Sequence, residues 1–435
     1  MKEIVSLNIG RAGIRVGDEI TQTFKQEHDY YHNSPEADYT DGFSTFFGYN
    51  EEEKSYQPRS LLIDFEPETL DTLKRSKSGG MYSESNFCEF QDEEVCNYAR
   101  GYYTVGEEVI GQCMDRIQKI AEDCDSLQGF MGVASLAGGT GSGFGARVLE
   151  GVKDEFKSKE RLWIPIFPES WLHTSAMSSY DCVLGNEAVR ENANIVIPFD
   201  SRVDLAGGLD EWKLYDKEFC SINKSIAQVV SYITCSMRFG EGLFCNLKDI
   251  SKILINNSDL KYLSGAHSSK IVKADKENET NPTEMLLNCL ETPFQMIKCD
   301  PRIHLKIRSC AIFRNDATLE DINSAIEIIN EKSNMSQDWF SDSFQWCQNK
   351  LMPIYNNEEG IHQQSGCLTL SNSASVVELF DYIGVKFDHL FSESIKCYFH
   401  HYQAEGMELE QFEEARANLK DLEVMYEQME ISPNS

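Results

Sequence analysis

Five glycines crowd the segment from Gly138 to Gly145, between an apolar run at 129–136 and a stretch where Val148, Leu149, Val152 and Phe156 keep a helical period. Few features constrain a chain more. Glycine lacks the Cβ that would hold an anion off the backbone N–H groups, and a helix start adds unpaired donors and the positive end of its dipole. The segment therefore reads as an anion cradle at the end of a buried strand. Thr140 and Ser142 add hydroxyl donors.

The first two hundred residues repeat this strand-to-helix pitch. Apolar runs lie at Glu3–Ile9, Ser60–Phe65, Gly129–Leu136, Arg161–Phe167 and Asn194–Phe199, with amphipathic stretches such as Asn97–Cys124 between them. That alternation predicts an α/β fold with a doubly wound parallel sheet over residues 1–200. The polar piece from His28 to Gln57 reads as an irregular surface excursion. Residues 201–373 contain a long helix, Ser221–Phe239, a charged loop at 270–282, and strands at Arg302–Phe313 and Gly366–Leu370, which predict a second, mixed α/β domain. Residues 374–435 read as a C-terminal helical hairpin. Ser375 is a candidate cap for its first helix, and Leu409, Phe412, Ala415, Leu419, Leu422, Tyr426 and Met429 form the seam of its second.

Composition narrows the function. With 40 Lys plus Arg against 71 Asp plus Glu, a formal charge of −31, the chain lacks the basic footprint that nucleic acid requires. The last sixty residues hold 13 acidic and 4 basic side chains, a ridge suited to basic partners. Fourteen cysteines occur without a C-x-x-C pair, so a zinc ribbon is excluded and a reduced, cytosolic setting is expected. No apolar run approaches the roughly 20 residues of a membrane span, and the opening residues read as a strand, not a signal peptide.

Three phosphate-binding designs compete for the glycine loop. A P-loop needs a lysine after its glycines, and none follows here. A dinucleotide fold needs G-x-G-x-x-G after the first strand, where only Gly10-Arg11-Ala12-Gly13 stands. The third design uses two loops from different strands of one sheet, with an acid between them. Asp64-Phe65-Glu66 ends an apolar strand and places two carboxylates on one side while the chain stays extended. Alone, such a pair is usually a solvated strand end. Beside the glycine loops it reads as a magnesium site, since carboxylates near a triphosphate need a cation between them.

At this point G-G-T-G-S-G-F at 138–144, D-F-E-P at 64–67, N-Y-A-R-G-Y-Y-T at 97–104, K-C-D-P-R at 298–302 and G-M-E…F-x-E-A-R at 406–416 together resemble the tubulin family, over nearly the whole chain. The connection at 351–366 and Asn246-Leu247-Lys248-Asp249-Ile250 resemble the α type. The resemblance implies a GTP-binding cytoskeletal subunit that pairs with a β-tubulin-type subunit and builds microtubules in the cytoplasm. Microtubule-associated proteins or motors would meet its acidic C-terminal helices. A non-polymerising relative from centrioles or basal bodies, with a structural or regulatory role, is the alternative it leaves open.

The family pattern also assigns residues. Gly10, Arg11, Ala12 and Gly13, with Ser135, Gly138, Gly139, Thr140, Gly141 and Ser142, would wrap the GTP phosphates. Asp64 and Glu66 would sit by Mg2+, and Thr174, Ser178, Ser201, Phe219 and Asn223 would hold ribose and base. Asp249 would be the catalytic acid, entering the neighbouring subunit's nucleotide site, so that the GTPase centre forms only between subunits. Several positions depart from the family: Arg11 stands where α-tubulins place Gln, Cys96 and Ser201 replace Asn, Ser178 replaces Glu, and Phe219 replaces Tyr. Losing one buried partner costs about 1–3 kcal/mol, which predicts a looser hold on the base than on the phosphates.

Overall fold

A computed structural model of the chain describes residues 2–32, 42–50, 54–90, 95–168, 176–203, 220–240, 242–271, 281–333, 344–357, 360–392 and 395–431. The chain divides into two units, one formed by Met1–Asp18, Ser44–Arg202 and Val377–Met425, the other by Glu19–Phe43, Val203–Val376 and Tyr426–Ser435.

In chain order the first unit contains β1 (Glu3–Ile9), the start of α1 (Gly10–His32), β2 (Phe47–Asn50), β3 (Ser55–Pro58), β4 (Ser60–Asp64), α2 (Pro67–Arg75), β5 (Phe87–Glu89), α3 (Val105–Glu122), β6 (Leu127–Ser135), α4 (Gly145–Glu155), β7 (Glu160–Phe167), α5 (Ser178–Asn192), β8 (Ile195–Val196) and β9 (Phe199–Asp200). Its main sheet runs β5-β4-β1-β6-β7-β8, with β9 also on β7, and every pairing is parallel. A parallel sheet covered by helices on both faces needs strands that are apolar on both sides. β1 meets that need: Ile4, Val5, Leu7 and Ile9 are all fully buried.

The doubly wound sheet expected from the sequence is therefore present, and its differences from that reading have local causes. The run at 194–199 splits into β8 and β9 because Pro198 lies between them and has no N–H to continue a ladder. The stretch from 28 to 57 is not irregular throughout. α1 continues to His32, and β2 pairs antiparallel with β3, with Tyr49 opposite Tyr56 and their rings 5.2 Å apart. Four-residue strands are too short for alternation to announce them. The helix expected over 97–124 opens with a wide π turn at Arg100–Thr104 before α3 begins.

The C-terminal helices of this unit are α10 (Val377–Leu390), α11 (Phe399–Ala404) and, as far as Met425, α12 (Leu409–Ile431). They pack on α5 through aromatic edges: Tyr180 meets Phe387, Tyr402 and Phe412 at centroid distances of 5.0, 5.7 and 5.1 Å. The α12 seam is buried from Phe412 to Tyr426, but Met429 is exposed. Ser375 does not cap α10. A 3-10 turn, Ala374–Val376, precedes that helix, and the Ser375 hydroxyl lies 3.0 Å from Ser264 Oγ.

The second unit holds α6 (Cys220–Phe239), α7 (Leu247–Leu254), β10 (Leu263–Ile271), α8 (Pro282–Asn288), β11 (Lys306–Arg314), α9 (Leu319–Ser333), β12 (Phe344–Asn349), β13 (Ile354–Asn357) and β14 (Gly360–Ser373). Its sheet runs β10-β14-β11-β12 with β13 on β14. It is mixed: β14 is antiparallel to β10, β11 and β13, and β11 is parallel to β12. The strand expected from 302 starts at Lys306, because the Asp300 carboxylate takes the Arg302 amide and guanidinium at 3.1 and 3.0 Å and turns the chain. The charged loop expected at 270–282 lies largely outside the described residues.

A charged knot crosses the core of this unit. Glu27, Arg238 and Arg314 have fully buried side chains, and the carboxylate takes Arg238 Nη1 at 2.7 Å and Arg314 Nη1 at 3.1 Å. Ser231 donates to it at 2.8 Å, and the Leu351 carbonyl accepts from Arg314 Nε at 2.8 Å. Burial alone would raise the Glu27 carboxyl, but the Arg314 and Arg238 guanidiniums outweigh it and hold it down at about 2. A folded-state value below the usual 4.5 contributes stability above that pH and loses it as the pH falls toward 2. Removing one partner from such a buried pair costs about 3–5 kcal/mol. Denaturant unfolding of Glu27→Gln should show a loss of that order at pH 7, and the difference from the parent chain should shrink between pH 4.5 and 2.

Candidate functional site

Three strands of the first unit end level with one another. Ile9 of β1 pairs with Ile63 of β4 on one side and with Ala134 of β6 on the other. The next residues, Gly10, Asp64 and Ser135, therefore leave the carboxyl edge of the sheet side by side. The strand order also reverses here, since the chain moves from β1 outward through β4 and β5 and then returns to β6. Ligands of open α/β sheets bind at that reversal.

Both glycine loops lie at this edge. Gly10 and Gly138 adopt φ of +72° and +87°, a backbone region that side chains with a Cβ rarely enter. A Cβ on Gly10 would come within 3.5 Å of the Thr140 methyl group, so the two loops adjoin, while a Cβ on Gly138 would meet nothing within 4 Å. Open space beside Gly138 is what an anion cradle requires. Gly139 serves a different need, because a Cβ there would lie 2.1 Å from the Asn97 carbonyl oxygen. A π turn at Thr140–Phe144 follows and leads into α4. Such single turns recur at functional sites.

Individual side chains refine the sequence reading. Ser142 is not a free donor to a ligand: it is buried and its hydroxyl donates to the Gly138 carbonyl at 2.8 Å, bracing the loop. Ser135 Oγ accepts the Ala137 amide at 3.2 Å. Thr140, Ala12 and the exposed Arg11 stand at the loops, and Gly13 and Gly141 are buried in them. Cys96 is exposed beside the buried Asn97. β4 stops at Asp64, so the strand does not itself carry Glu66, although the Glu66 charge still reaches Asp64 and adds to the rise in its pKa. The Phe65 and Glu66 amides turn back onto Asp64 Oδ1 at 2.9 and 3.4 Å, and Glu66 becomes the exposed residue ahead of α2. Asp64 Oδ2 is buried and has no hydrogen-bond partner among the described residues. Burial raises this carboxyl to about 6, with the two amides and Arg11 opposing the shift. A buried carboxylate oxygen in need of a partner fits a cation at this edge.

The ribose and base positions divide differently. Thr174 and Phe219 lie outside the described residues. Ser178 begins α5 and is buried. The Ser201 hydroxyl donates to the Phe167 carbonyl at 2.8 Å. Asn223 stands half-buried on α6, in the second unit. Asp249, also in that unit, closes a capping box at the start of α7: its Oδ2 accepts the Asn246 amide at 3.1 Å, and Oδ1 lies 3.8 Å from Lys252 Nζ.

Sequence reasoning missed Asp181. This buried carboxylate accepts the Tyr98 amide and the Tyr402 hydroxyl, each at 2.7 Å, and the Gly138 amide also stabilises its charge. It thereby ties the glycine loop, the 97–104 segment and α11 to one point. No spacing or motif marks it, because its partners are two backbone amides and a tyrosine 221 positions away. Nearby, Glu405 pairs with Arg100 at 3.3 Å and accepts from Thr104.

Comparison with known proteins agrees with this geometry. Residues 3–202 match the family model described as Tubulin/FtsZ family, GTPase domain, and residues 266–384 match the tubulin C-terminal domain. The chain is 30% identical to the tubulin alpha-6 chain of Naegleria pringsheimi, covering 100% of this chain and 97% of that one. It is 31% identical to the tubulin alpha-1 chain of Saccharomyces cerevisiae, covering 98% and 97%. With the tubulin alpha-3 chain of Zea mays it shares 29%, covering 99% and 97%.

Burial lifts Asp181 to about 7 from the usual 3.8, against the pull of the Tyr402, Tyr98 and Gly138 donors. A folded state that holds its proton more tightly than the unfolded one is favoured at low pH, and that advantage is lost as the pH rises from 3.8 through 7. Asp181→Asn keeps the acceptor and removes the charge. The variant should be more stable than the parent at pH 8 by at least about 1 kcal/mol, and thermal melts from pH 4 to 8 should lose this part of their slope. An unchanged slope would contradict the assignment.

Proposed function

The chain belongs to the tubulin family, and on that premise we propose that it is a divergent α-tubulin-like, GTP-binding subunit that pairs with a β-type tubulin and builds microtubules of the cytoplasmic cytoskeleton. The observation that carries this reading is the level ending of β1, β4 and β6, which sets Gly10, Asp64 and Ser135 at one sheet edge beside the open space at Gly138. Backbone amides of the first turn of α1, 10–13, and of 139–141 would take the phosphate oxygens, since the Gly138 and Ser142 amides are already donated to Asp181 and to the Gly138 carbonyl. Asp64, with its unpartnered oxygen, and Glu66 would hold Mg2+, which when bound neutralises phosphate charge. Ser201 and Asn223, with Thr174, Ser178 and Phe219, would take ribose and base. None of the described helices is long and apolar enough to cross a membrane. The acidic face of α10 and α12 would receive microtubule-associated proteins or motors.

Hydrolysis under this reading belongs to the assembled pair. Asp249 would orient the water that attacks the neighbouring subunit's GTP, since orienting the nucleophile is much of what phosphoryl transfer asks of a protein. Capping α7 leaves the side chain able to do so, because Oδ2 holds the Asn246 amide while Oδ1 of the half-buried carboxylate has, among the described residues, a long contact to Lys252. Asp is one methylene shorter than the Glu that the family pattern places here, and misplacement near 1 Å costs on the order of 10²-fold in rate. Asp249→Glu preserves the capping box, which accepts Glu at this position.

Two measurements test the reading. The purified chain, mixed with β-tubulin and GTP, should sediment with polymer. Its absence from the pellet would favour the non-polymerising alternative. In copolymers that do form, Asp249→Glu should raise GTP turnover by roughly 10- to 100-fold, and unchanged turnover would remove Asp249 from the catalytic role.

A further inference from the structure

One face of α5 is turned toward the glycine loop. A Cβ on Gly185 would lie 3.0 Å from the Ser142 Cβ, and Asp181 stands one turn earlier on the same helix. Asp181 is 1% exposed. Its Oδ1 takes both the Tyr98 amide and the Tyr402 hydroxyl, while Oδ2 is buried and has no hydrogen-bond partner of its own among the described residues. The Gly138 peptide is thereby fixed from two sides. Its amide is drawn to the Asp181 carboxylate, and its carbonyl accepts the Ser142 amide and hydroxyl at 3.2 and 2.8 Å. The segment that Asp181 holds through Tyr98 presses on the same loop, since a Cβ on Gly143 would lie 2.2 Å from the Tyr98 carbonyl oxygen.

Phosphate bound on this loop would face a carboxyl directly behind it. Two effects then act with one sign. An ionised Asp181 opposes a second anion across a dry interior, where charges are poorly screened. It is also the stronger acceptor, so it keeps the Gly138 amide from a phosphate oxygen, whereas the neutral acid releases it. Burial sets the change between these states at about 7. The titratable groups that feel the Asp181 charge are Cys96, Cys182 and Tyr402, and burial pushes all three up, so they stay neutral there. Beside them Arg100 and Glu405 are paired at 3.3 Å.

We infer that Asp181 is a positioning residue for the nucleotide: the chain binds GTP with the Asp181 carboxyl protonated and holds it less tightly once that carboxyl ionises. Because such coupling is reciprocal, bound GTP in turn keeps the proton on Asp181. The inference rests on the GTP-binding function proposed above.

Calorimetric titration of the full chain with GTP in excess Mg2+, from about pH 6 to 8.5, tests it against Asp181→Asn. Asparagine is neutral at every pH and places an N–H where the acid carries its O–H. The parent's Kd should rise about fivefold or more across this range, over and above any change shared with the variant. Titration of Asp64 and of the phosphates is common to both proteins and cancels in the comparison. Asp181→Asn should keep the parent's low-pH affinity throughout. Tyr402→Phe removes a donor to the carboxylate and should move the loss of affinity to higher pH. Parallel profiles for the parent and Asp181→Asn, with both binding GTP, overturn the inference and leave the GTP-binding function standing. Should Asp181→Asn fail to fold, an unshifted profile for Tyr402→Phe overturns it. Uptake of GTP by no variant at any pH overturns the function and the inference together.

Discussion

Parallel pairing around β1 sets the geometry of the whole nucleotide edge. A strand hydrogen-bonded on both sides has its register set twice, and Ile9 is locked to Ile63 and Ala134 together. The turns after these three strands consequently leave the sheet at one level, without any side chain having to arrange it. Apolar residues on both faces of β1 make that register costly to shift, because a slip of one residue would exchange the two packed faces.

The glycine run does two jobs that look identical as letters. Gly138 takes a left-handed φ and faces open space, as a phosphate cradle demands, whereas Gly139 lets the Asn97 carbonyl press against the loop. Phosphate access and backbone packing are therefore separate reasons for glycine within consecutive residues. Asp181 belongs to the second purpose. Its carboxylate gathers the Tyr98 and Gly138 amides and the Tyr402 hydroxyl, which links the stability of the loop to the C-terminal helices of the same unit.

What could be read from the sequence follows from how local each signal is. β1 was legible to the residue because Ile4, Val5, Leu7 and Ile9 crowd β-forming apolar side chains into seven positions, and glycine follows at once. The mixed second sheet was legible in outline from its longer strands. The hairpin of β2 and β3 was not, since each strand has four residues and its aromatic pair faces outward. Nor could spacing foresee that β4 would turn at Asp64 and send Glu66 to the surface, or that Ser142 would spend its hydroxyl on Gly138. Contacts made through backbone atoms, or between residues hundreds of positions apart, leave no periodicity to detect. The charged knot of Glu27, Arg238 and Arg314 is of that kind.

If the turns at one sheet edge grip the phosphate tail of a guanine nucleotide, the purified protein should carry that nucleotide through isolation. Denaturing it and identifying the released molecule reads out the grip without any assay of assembly. A stoichiometric amount of guanosine di- or triphosphate is expected. A well-folded chain that releases no nucleotide, and takes none up when GTP and Mg2+ are supplied in excess, would show that the edge holds no such ligand.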